Sequence, residues 1–332
     1  METIRFQELG AIMSQCSEFI FHSMAFEQAF ITDDWTILEP FYSHDAIHTV
    51  VDGGPFEAVD EGPVAIAAGL GKGVNLVDRR FDVRIPQIIE GPIIRDDGLW
   101  MRFRLTFRRA GLPELNIEGE HLTVHRDGRI VEFHESLAPG HGEMTEQYLR
   151  KHDRALRPAG SPYAPVLTET DKRDKDGALQ SIVARCYAMA KGQQDIDAAL
   201  SLCHPDFVLE TIPFRIVSKD REDTRQQLTL FFSAFPDFQP QADGFLAKDG
   251  RGACWGKARM SHKGDLFGFS ASGKTALLPF FSAFEFRDGL LSKEIFSIDL
   301  AMLSDALELP LEPLLSIVRN LSTASTLGAT NV

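Results

Sequence analysis

The chain has 332 residues, of which 44% are hydrophobic and 25% charged, a composition that is ordinary for a globular protein with two domains. Its formal net charge of -14 argues against nucleic acid or an anionic membrane as a partner, because binding to phosphates needs clustered Lys and Arg. No segment approaches the roughly 20 apolar residues that a membrane-spanning helix needs, and no secretory leader is recognisable. We therefore expect a soluble, cytoplasmic protein that acts on a small molecule.

The cysteines and histidines do not follow a metal-binding or disulfide pattern. The four cysteines contain no Cys-x-x-Cys pair. They are Cys16, Cys186, Cys203 and Cys254. His121 and His125 would share a strand face but lie about 13 Å apart, too far for one ion without other ligands. We expect buried, reduced cysteines, no metal site and no other cofactor.

The first half of the chain reads as helices followed by strands. Apolar residues at helical spacing predict a helix over residues 6–30, a short helix through Tyr42 and then a strand over 45–51. Gly62-Pro63 begins another helix, because proline suits a first helical turn. Strand-like runs then cover 81–90, 99–109, 115–124 and 129–137.

The second half repeats this order. Residues 177–191 and 195–203 read as helices, 207–211 as a strand and 219–235 as a helix. Four strand-like runs follow, at 238–248, 252–262, 275–287 and 290–299. Asp45 and Asp206 are separated by the same number of residues as Gly128 and Gly289. A register kept over the whole unit predicts a tandem duplication.

The segment between the halves, residues 155–176, is rich in proline and charge, which is typical of a linker. We therefore expect domains over residues 1–154 and 177–322, with a disordered polar tail over 323–332. The two domains are expected to pack as an internal pseudo-dimer, and a homo-oligomer of the whole chain stays open.

A two-residue Asp-Gly turn fixes the pairing of the last two strands in each half. The turn at Asp288-Gly289 pairs Phe284 with Lys293. Counting by twos then puts Asp299 on the same face as Phe280 and Phe284. A carboxylate at the end of an aromatic surface is costly unless it has a role. Asp299 is therefore a candidate catalytic residue.

In the first half, the Asp127-Gly128 turn pairs Glu120 with Glu135. Both glutamates are predicted to share their face with Phe133, and His121 is predicted on the opposite face. Two carboxylates on an apolar face should split their pKa values, and the raised one becomes an acid at neutral pH. The alternative is that a bulge or strand curvature turns them to solvent.

The second half carries a family resemblance. The strand ending at His262, the glycine-rich segment after it and the strand ending at Asp299 follow an order that resembles the SnoaL-like polyketide cyclases. The matching residues are Phe235-Pro236-Asp237, His262, Gly264, Phe267, Gly268, Ser272-Gly273-Lys274, Asp288-Gly289, Asp299 and Leu303. The resemblance covers residues 176–309, and the Gly-Thr-His usual in the family reads Met260-Ser261-His262 here. These cyclases lie within the nuclear transport factor 2 and ketosteroid isomerase superfamily.

This resemblance implies a fold and a chemistry. The fold would be α+β, with two tandem cone-shaped domains, each a curved antiparallel sheet wrapped around helices as a cystatin-like α+β barrel. Asp299 would act as general acid and base in an intramolecular aldol closure, without metal or cofactor. His262 is the candidate donor to the enolate, and Phe280 and Phe284 are candidate substrate contacts. The alternative for His262 is a structural role.

The first half also resembles ketosteroid isomerases. The matching residues are Asp45-Ala46, Asp52, Gly62 and Ile66. The resemblance implies that Asp52 is the general base and that Glu120 is the protonated acid of the oxyanion site, with Glu135 and Phe133 beside the substrate. The Tyr that this family carries on its first helix is missing from residues 18–30. The alternative for Asp52 is an ordinary turn.

We predict a cofactor-independent enzyme that removes a proton next to a carbonyl of a small hydrophobic substrate, giving cyclisation, isomerisation or retro-aldol cleavage. A hydrolase or dehydratase with a carboxylate-activated water is the alternative among enzymes. A ligand-binding or assembly module without turnover is the alternative of a different class, because the fold alone does not decide function.

Overall fold

The computed structural model describes residues 15–327, with side chains described as far as residue 320. The chain divides into two compact units, Met1–Lys175 and Asp176–Val332. In the described part of the chain, no helix is both long and apolar enough to cross a membrane.

Among its described residues, the first unit contains three α-helices that lie wholly within it, six strands and four short 3-10 helices, of which the longest, Trp35–Phe41, corresponds to the predicted short helix through Tyr42. In chain order the α-helices and strands are α1 (Gln15–Thr32), β1 (Tyr42–Val51), β2 (Ala58–Glu61), α2 (Pro63–Leu76), β3 (Val83–Arg95), β4 (Gly98–Arg108), β5 (Leu115–Arg126), β6 (Arg129–Leu137) and α3 (His141–His152). The strand order is β2-β1-β6-β5-β4-β3, with β1 and β6 parallel and the other neighbours antiparallel. Residues 6–14 of the predicted first helix lie outside the described residues.

The second unit has the same strand order. Its elements are α4 (Glu169–Gly192), which begins before Asp176, α5 (Ile196–Ser201), β7 (Cys203–Thr211), β8 (Ile216–Val217), α6 (Arg221–Ala234), β9 (Gln239–Lys248), β10 (Arg251–Ser261), β11 (Thr275–Arg287), β12 (Leu290–Ile298), α7 (Leu300–Ala306) and α8 (Leu311–Leu327). The order is β8-β7-β12-β11-β10-β9, again with one parallel pair, β7 and β12. The predicted tandem α+β organisation is therefore confirmed.

Two details of the predicted sheets need correction. Each sheet is mixed rather than wholly antiparallel, because the first long strand of the unit pairs in parallel with the last. Each sheet is also open: in the described structure β2 and β3 form the two edges of one sheet, and β8 and β9 form the edges of the other. Neither sheet closes into a barrel.

The core of each unit lies between helices and sheet. In the first unit, Leu38, Tyr42 and Ile66 are fully buried against β6, and Phe81 and Phe107 belong to a second cluster. In the second unit the largest fully buried side chains are aromatic: Tyr187, Phe207, Phe235 and Phe238. The four cysteines are free thiols in these cores, as predicted.

The segment that the sequence predicts as a linker makes specific contacts with the first unit. The Arg157 side chain donates to the Asp82 carboxylate at 2.5 Å, and the Val166 amide donates to the Asp82 carbonyl at 3.2 Å. Asp171 accepts a hydrogen bond of 2.8 Å from Arg108. Residues from Glu169 onward are helical. At the other end, α8 continues to Leu327, and the rest of the predicted tail lies outside the described residues.

The first-unit hairpin contains a bulge that changes the predicted pairing. The register between β5 and β6 shifts at Val124. His121 therefore lies opposite Glu135, and Glu120 lies opposite Ser136. The predicted pair of Glu120 with Glu135 is wrong, because a slip of one residue moves each side chain to the other face of the sheet.

The second-unit hairpin has the same kind of error. The predicted register holds next to the turn, where Phe286 lies opposite Leu291, but it shifts between Glu285 and Phe286. Phe284 consequently pairs with Glu294 instead of Lys293. The buried carboxylate of β12 is therefore that of Glu294.

Candidate active site

Four polar side chains of the second unit, Tyr187, Lys191, Ser282 and Glu294, form a buried group that we call the Lys191 cluster. The ammonium of Lys191 donates to both carboxylate oxygens of Glu294, at 3.0 and 2.8 Å. Tyr187 Oη and Ser282 Oγ each donate to the same carboxylate at 2.8 Å. Glu294 is only 1% exposed. Its buried charge is therefore compensated by three separate donors.

Helix periodicity and strand register place these groups together. Tyr187 and Lys191 are four residues apart on α4, so both project from one face of the helix. The Lys191 ammonium lies 4.9 Å from the ring centroid of Tyr187 and 5.1 Å from that of Phe296, within range of a cation-π interaction. Burial and the negative charge of Glu294 raise the pKa of Tyr187 well above its ordinary value, so its hydroxyl stays protonated.

A pocket of about 470 Å³ adjoins the Lys191 cluster, and Lys191 and Phe296 line it. This volume is typical of a small-molecule site. Its aromatic lining consists of Phe214, Phe231, Phe238, Phe267 and Phe296. Gln227 also lines it: one end of its amide donates to Thr211 at 2.5 Å, and Oε1 has no hydrogen-bond partner among the described residues. The pocket thus offers apolar walls with a few polar groups.

Asp299 does not lie where the sequence predicts. It is exposed, and its carboxylate accepts a hydrogen bond of 2.9 Å from the Met302 amide as the N-cap of α7. The register shift in the hairpin explains the error, since counting from the turn assigns Asp299 to the wrong face. Phe280 and Phe284 are buried rather than pocket-lining: Phe280 stacks on Phe296 with centroids 6.2 Å apart, and Phe284 lies 6.5 Å from Tyr187.

His262 is fully buried in the loop that follows β10. Its Nδ1 accepts a hydrogen bond of 3.2 Å from the Ser272 amide, and its ring lies 5.9 Å from that of Phe235. Burial lowers its pKa below the ordinary value. The neighbouring loop residues Asp265 and Phe267 line the pocket, whereas His262 does not. Its Nε2 is buried without a hydrogen-bond partner among the described residues, so only one of the two ring nitrogens is satisfied.

The first unit contains a second buried polar group around Glu135, which we call the Glu135 cluster. Oε1 of Glu135 lies 3.5 Å from Nε2 of His121 and 3.8 Å from Nε2 of His48. Nδ1 of His48 lies 3.3 Å from Asp60 Oδ2. The register gives the reason: His121 on β5 is opposite Glu135 on β6, and His48 on β1 is opposite Phe133 of β6.

The charges of this cluster depend on one another. Burial would raise the pKa of Glu135, but the imidazoles of His121 and His48 beside it outweigh burial and hold that pKa well below its usual range. Burial would lower the pKa of His48, but Glu135 and Asp60 outweigh it and raise that pKa. Glu135 is therefore ionised, and the raised pKa of His48 favours its protonated form beside this carboxylate.

A neutral pair lies beside these charges. Nε2 of His22 shares a hydrogen bond of 2.8 Å with Tyr42 Oη. Burial lowers the pKa of His22 to about 3. Burial and Glu135 raise the pKa of Tyr42 well above its ordinary value. Both groups are uncharged at neutral pH.

The other first-half candidates lie apart from the Glu135 cluster, except Phe133. Glu120 is exposed and accepts a hydrogen bond of 3.0 Å from Trp100 Nε1. Asp52 is exposed in the turn after β1, with a left-handed backbone (φ 53°), which corresponds to the turn alternative. Phe133 is buried, with its ring 5.0 Å from that of His48 and 5.3 Å from that of His121.

Residues 181–307 match the family model of the SnoaL-like polyketide cyclases. Because of this similarity, we call the matched part of the second unit the SnoaL-like domain. The match includes Tyr187, Lys191 and Glu294, so the Lys191 cluster and the adjoining pocket belong to the SnoaL-like domain. No curated protein matches the chain significantly in sequence.

Solved structures with detectable similarity each cover about two fifths of the chain. AclR, described as a putative hydroxylase from Streptomyces galilaeus, is 20% identical with a TM-score of 0.35, covering 40% of this chain and 97% of its own. A putative SnoaL-like polyketide cyclase from Jannaschia sp. CCS1 is 14% identical with a TM-score of 0.38, covering 40% and 94%. IdmH, a putative polyketide cyclase from Streptomyces antibioticus, is 17% identical with a TM-score of 0.35, covering 39% and 99%. At such scores these structures carry no further argument, and the similarity of residues 181–307 to the cyclases rests on the sequence match.

Sequence reasoning missed most of the residues in the two clusters. Tyr187 and Lys191 do carry a local signal. They are two polar side chains four residues apart in a predicted helix, so they share one face of that helix. His48 had no signal beyond its place in a strand. Among the residues that the structure describes, no three His, Cys, Asp or Glu side chains are grouped to hold a metal ion.

Proposed function

We propose that the SnoaL-like domain is a cofactor-independent enzyme that removes a proton next to a carbonyl of a small hydrophobic substrate. The observation that carries this proposal is the pocket of about 470 Å³ with aromatic walls and Lys191 in its lining. Lys191 is the only Lys or Arg among the residues that line this pocket. A single cation in an apolar pocket is suited to a substrate oxygen that becomes negative during the reaction.

Lys191 has the donor that such an oxygen needs. An ammonium group has three N–H donors, and Glu294 takes up two of them. The third can point to the carbonyl oxygen of a bound substrate. As the carbonyl becomes an enolate, the charge of Lys191 stabilises it, and Glu294 keeps Lys191 in place. Tyr187 and Ser282 act as positioning residues through their hydrogen bonds to Glu294.

The proton acceptor that we assign is Asp223, which lies in the first turn of α6 and lines the same pocket. It is half-buried, whereas the other carboxylate of the lining, Asp265, is exposed. Asp223 Oδ2 accepts a hydrogen bond of 3.2 Å from the Lys219 amide, which holds the carboxylate at the edge of the pocket. Returning the proton at another carbon gives isomerisation, and attack of the enolate carbon on a second carbonyl gives cyclisation.

The test follows proton removal directly and does not require the natural substrate. In D2O, the loss of the α-proton signals of 2-tetralone, an aromatic ketone, is followed by proton NMR with the full chain. General acid-base catalysis contributes about 100-fold to 10,000-fold. Asp223→Asn should therefore slow the exchange at least about 100-fold, whereas Asp305→Asn, an exposed carboxylate on α7, should not. Equal rates for Asp223→Asn and the parent chain would contradict the proposal.

A second candidate function is ligand binding without turnover. Both carboxylate oxygens of Glu294 are paired with Lys191, which suits a site that holds a ligand without changing its charge. Native mass spectrometry of the purified chain distinguishes the two functions together with the exchange assay. A copurified small molecule without any exchange above buffer would favour the binding function.

A further inference from the structure

We propose that Phe267 is a specificity-determining residue of the pocket in the SnoaL-like domain, held by a strained turn so that its ring favours ligands with a flat aromatic surface. Phe267 lies in the loop between β10 and β11 and lines the pocket of about 470 Å³. The inference rests on the proposed function, because both use this pocket. It adds which ligands bind there and which residue distinguishes them.

Phe267 and Gly268 are the two central residues of a miniature hairpin. The Leu266 amide donates to the Phe269 carbonyl at 3.0 Å, and the Phe269 amide donates to the Leu266 carbonyl at 3.0 Å. Both central residues have a positive φ, 54° for Phe267 and 90° for Gly268, as in a type I′ turn. The Asp265 carboxylate accepts a hydrogen bond of 2.9 Å from the Gly268 amide and closes the turn.

A phenylalanine is a costly choice at this position. Type I′ turns favour Asn, Asp or Gly at the first central residue, because a bulky side chain crowds the backbone when φ is positive. In the described part of the chain, the other non-glycine residues with positive φ are Asp, Gln, Arg or Glu, so Phe267 is the only aromatic one. Strained residues are concentrated at ligand sites, where the surrounding structure holds them. We therefore looked for the role of Phe267 in the pocket.

The strained turn places the Phe267 ring in the wall of the pocket. The ring is half-buried, and its centroid lies 5.1 Å from that of Phe214, with 66° between the two planes. Phe214 also lines the pocket, and at 2% exposure it is the fixed side of this contact. The neighbour Leu266 is 4% exposed, so it anchors the hairpin while Phe267 stays partly open. A ligand in the pocket therefore meets the Phe267 ring.

The base of the loop is attached to the end of α6. The amides of Lys263 and Gly264 donate to the Ala234 carbonyl at 2.9 and 3.2 Å. A Cβ at position 264 would lie 2.0 Å from the Ser233 carbonyl oxygen, so this close contact requires glycine. Because the base is fixed, the turn at the tip decides where the Phe267 ring lies. A change at position 267 alone thus tests the ring and not the course of the loop.

The aromatic lining indicates how a ligand is distinguished. Aromatic rings pack edge to face or offset-stacked, and this geometry adds to the affinity gained by burial alone. A saturated ring of the same size buries a similar area but lacks this interaction. We therefore expect the pocket to bind an aromatic compound more tightly than its saturated analogue, by about 2-fold to 10-fold.

The experiment measures binding instead of turnover. Ligand-observed NMR titrations give the Kd of 2-tetralone and of 2-decalone, its saturated analogue, for the full chain and its variants. Phe267→Asn should abolish the preference of the parent chain for 2-tetralone. The hairpin should persist in this variant, because Asn followed by Gly268 is the pair that a type I′ turn favours. Phe267→Leu keeps an apolar side chain without a ring and should lose the preference as well.

The matched control is Arg215→Asn. Arg215 has nearly the same left-handed φ, 53°, but it is exposed and does not line the described pocket. Arg215→Asn should therefore leave the preference for 2-tetralone unchanged. Three results would overturn the proposal: no binding of 2-tetralone to the parent chain, equal Kd values for the two compounds, or a preference that persists in both variants at position 267.

The binding and exchange assays separate this inference from the proposed function. If 2-tetralone and 2-decalone bind the parent chain equally while Asp223→Asn slows the exchange, this inference fails and the proposed function stands. If the preference for 2-tetralone depends on Phe267 but the parent chain shows no exchange above buffer, the proposed function fails and this inference stands.

Discussion

Glu135 on β6 lies directly opposite His121 on β5, with 3.5 Å between its carboxylate and the imidazole Nε2. One bulge, between Val124 and His125, creates this relationship. Without the shift, Glu135 would face Glu120, and His121 would lie on the other surface of the sheet. Because of the bulge, an imidazole lies opposite Glu135 in place of a second carboxylate.

The first prediction concerns His22, whose pKa of about 3 lies below the ordinary value of 6.5 because the ring is buried. As the pH falls below 6.5, the unfolded chain binds a proton at His22 and the folded chain does not, so stability is lost as pH falls toward 3. Between pH 7 and pH 5 the loss from this residue is about 2 kcal/mol. In His22→Gln, which can still pair with Tyr42, this part of the loss should vanish.

Urea unfolding of the first unit at pH 7 and pH 5 checks this prediction, with His44→Gln as the control because His44 is exposed. The parent chain and the control should lose the same stability on acidification, and His22→Gln should lose less. The same loss in all three proteins would show that His22 is protonated in the folded state.

The second prediction concerns the ion pair between Lys191 and Glu294. Both side chains are nearly closed to solvent, at 9% and 2% exposure. Lys191→Met leaves the Glu294 charge without its cation, and removing one partner of a buried pair costs about 3 to 5 kcal/mol. The double variant Lys191→Met, Glu294→Leu removes both charges and should be more stable than Lys191→Met alone. Urea unfolding of the singles and the double gives the coupling free energy. Additive losses would mean that the two groups do not interact.

The third prediction concerns Asp299, the N-cap of α7. Asp299→Ala removes the acceptor for the Met302 amide and should cost about 1 kcal/mol, whereas Asp299→Asn should cost much less because Asn also caps helices well. Neither change should alter the exchange of 2-tetralone, since Asp299 does not line the described pocket. Melting curves and the exchange rate check both parts. Slow exchange of 2-tetralone by Asp299→Asn, with an unchanged melting temperature, would instead identify Asp299 as a catalytic residue.

The elements of both units could be predicted from sequence because their signals are local. Helical spacing, Pro63 in a first turn and the Asp-Gly turns at positions 127–128 and 288–289 each depend on a few neighbouring residues. The repeat of these signals at a constant separation predicted the duplication, and the equal strand orders agree with it.

The two clusters could not be assembled from sequence because a bulge depends on the packing of the whole sheet. In each hairpin the predicted register holds next to the turn and fails beyond the first bulge. Glu120 and Asp299 therefore lie away from their predicted faces. Lys191 and Glu294 are 103 positions apart in sequence, so nothing local connects them. The apolar face around Glu135 can be predicted from the sequence. Its imidazole partners, His121 and His48, cannot, because they lie on two other strands.

The fourth prediction concerns Gly119, which gives Phe103 the room to lie against His121. A Cβ at position 119 would come within 2.5 Å of the Ser136 carbonyl and 2.8 Å of the Phe103 ring, so either the backbone or the ring must move. Gly119→Ala should therefore destabilise the first unit by about 1 to 3 kcal/mol, as overpacking does.

The control is Gly73→Ala, because a Cβ there meets only Phe56 at 3.5 Å and alanine favours the helix. Urea unfolding of the parent chain and of the two variants checks the prediction. The Gly73→Ala chain should be at least as stable as the parent. A Gly119→Ala chain as stable as the parent would mean that Phe103 and the Ser136 carbonyl do not need a glycine at this position.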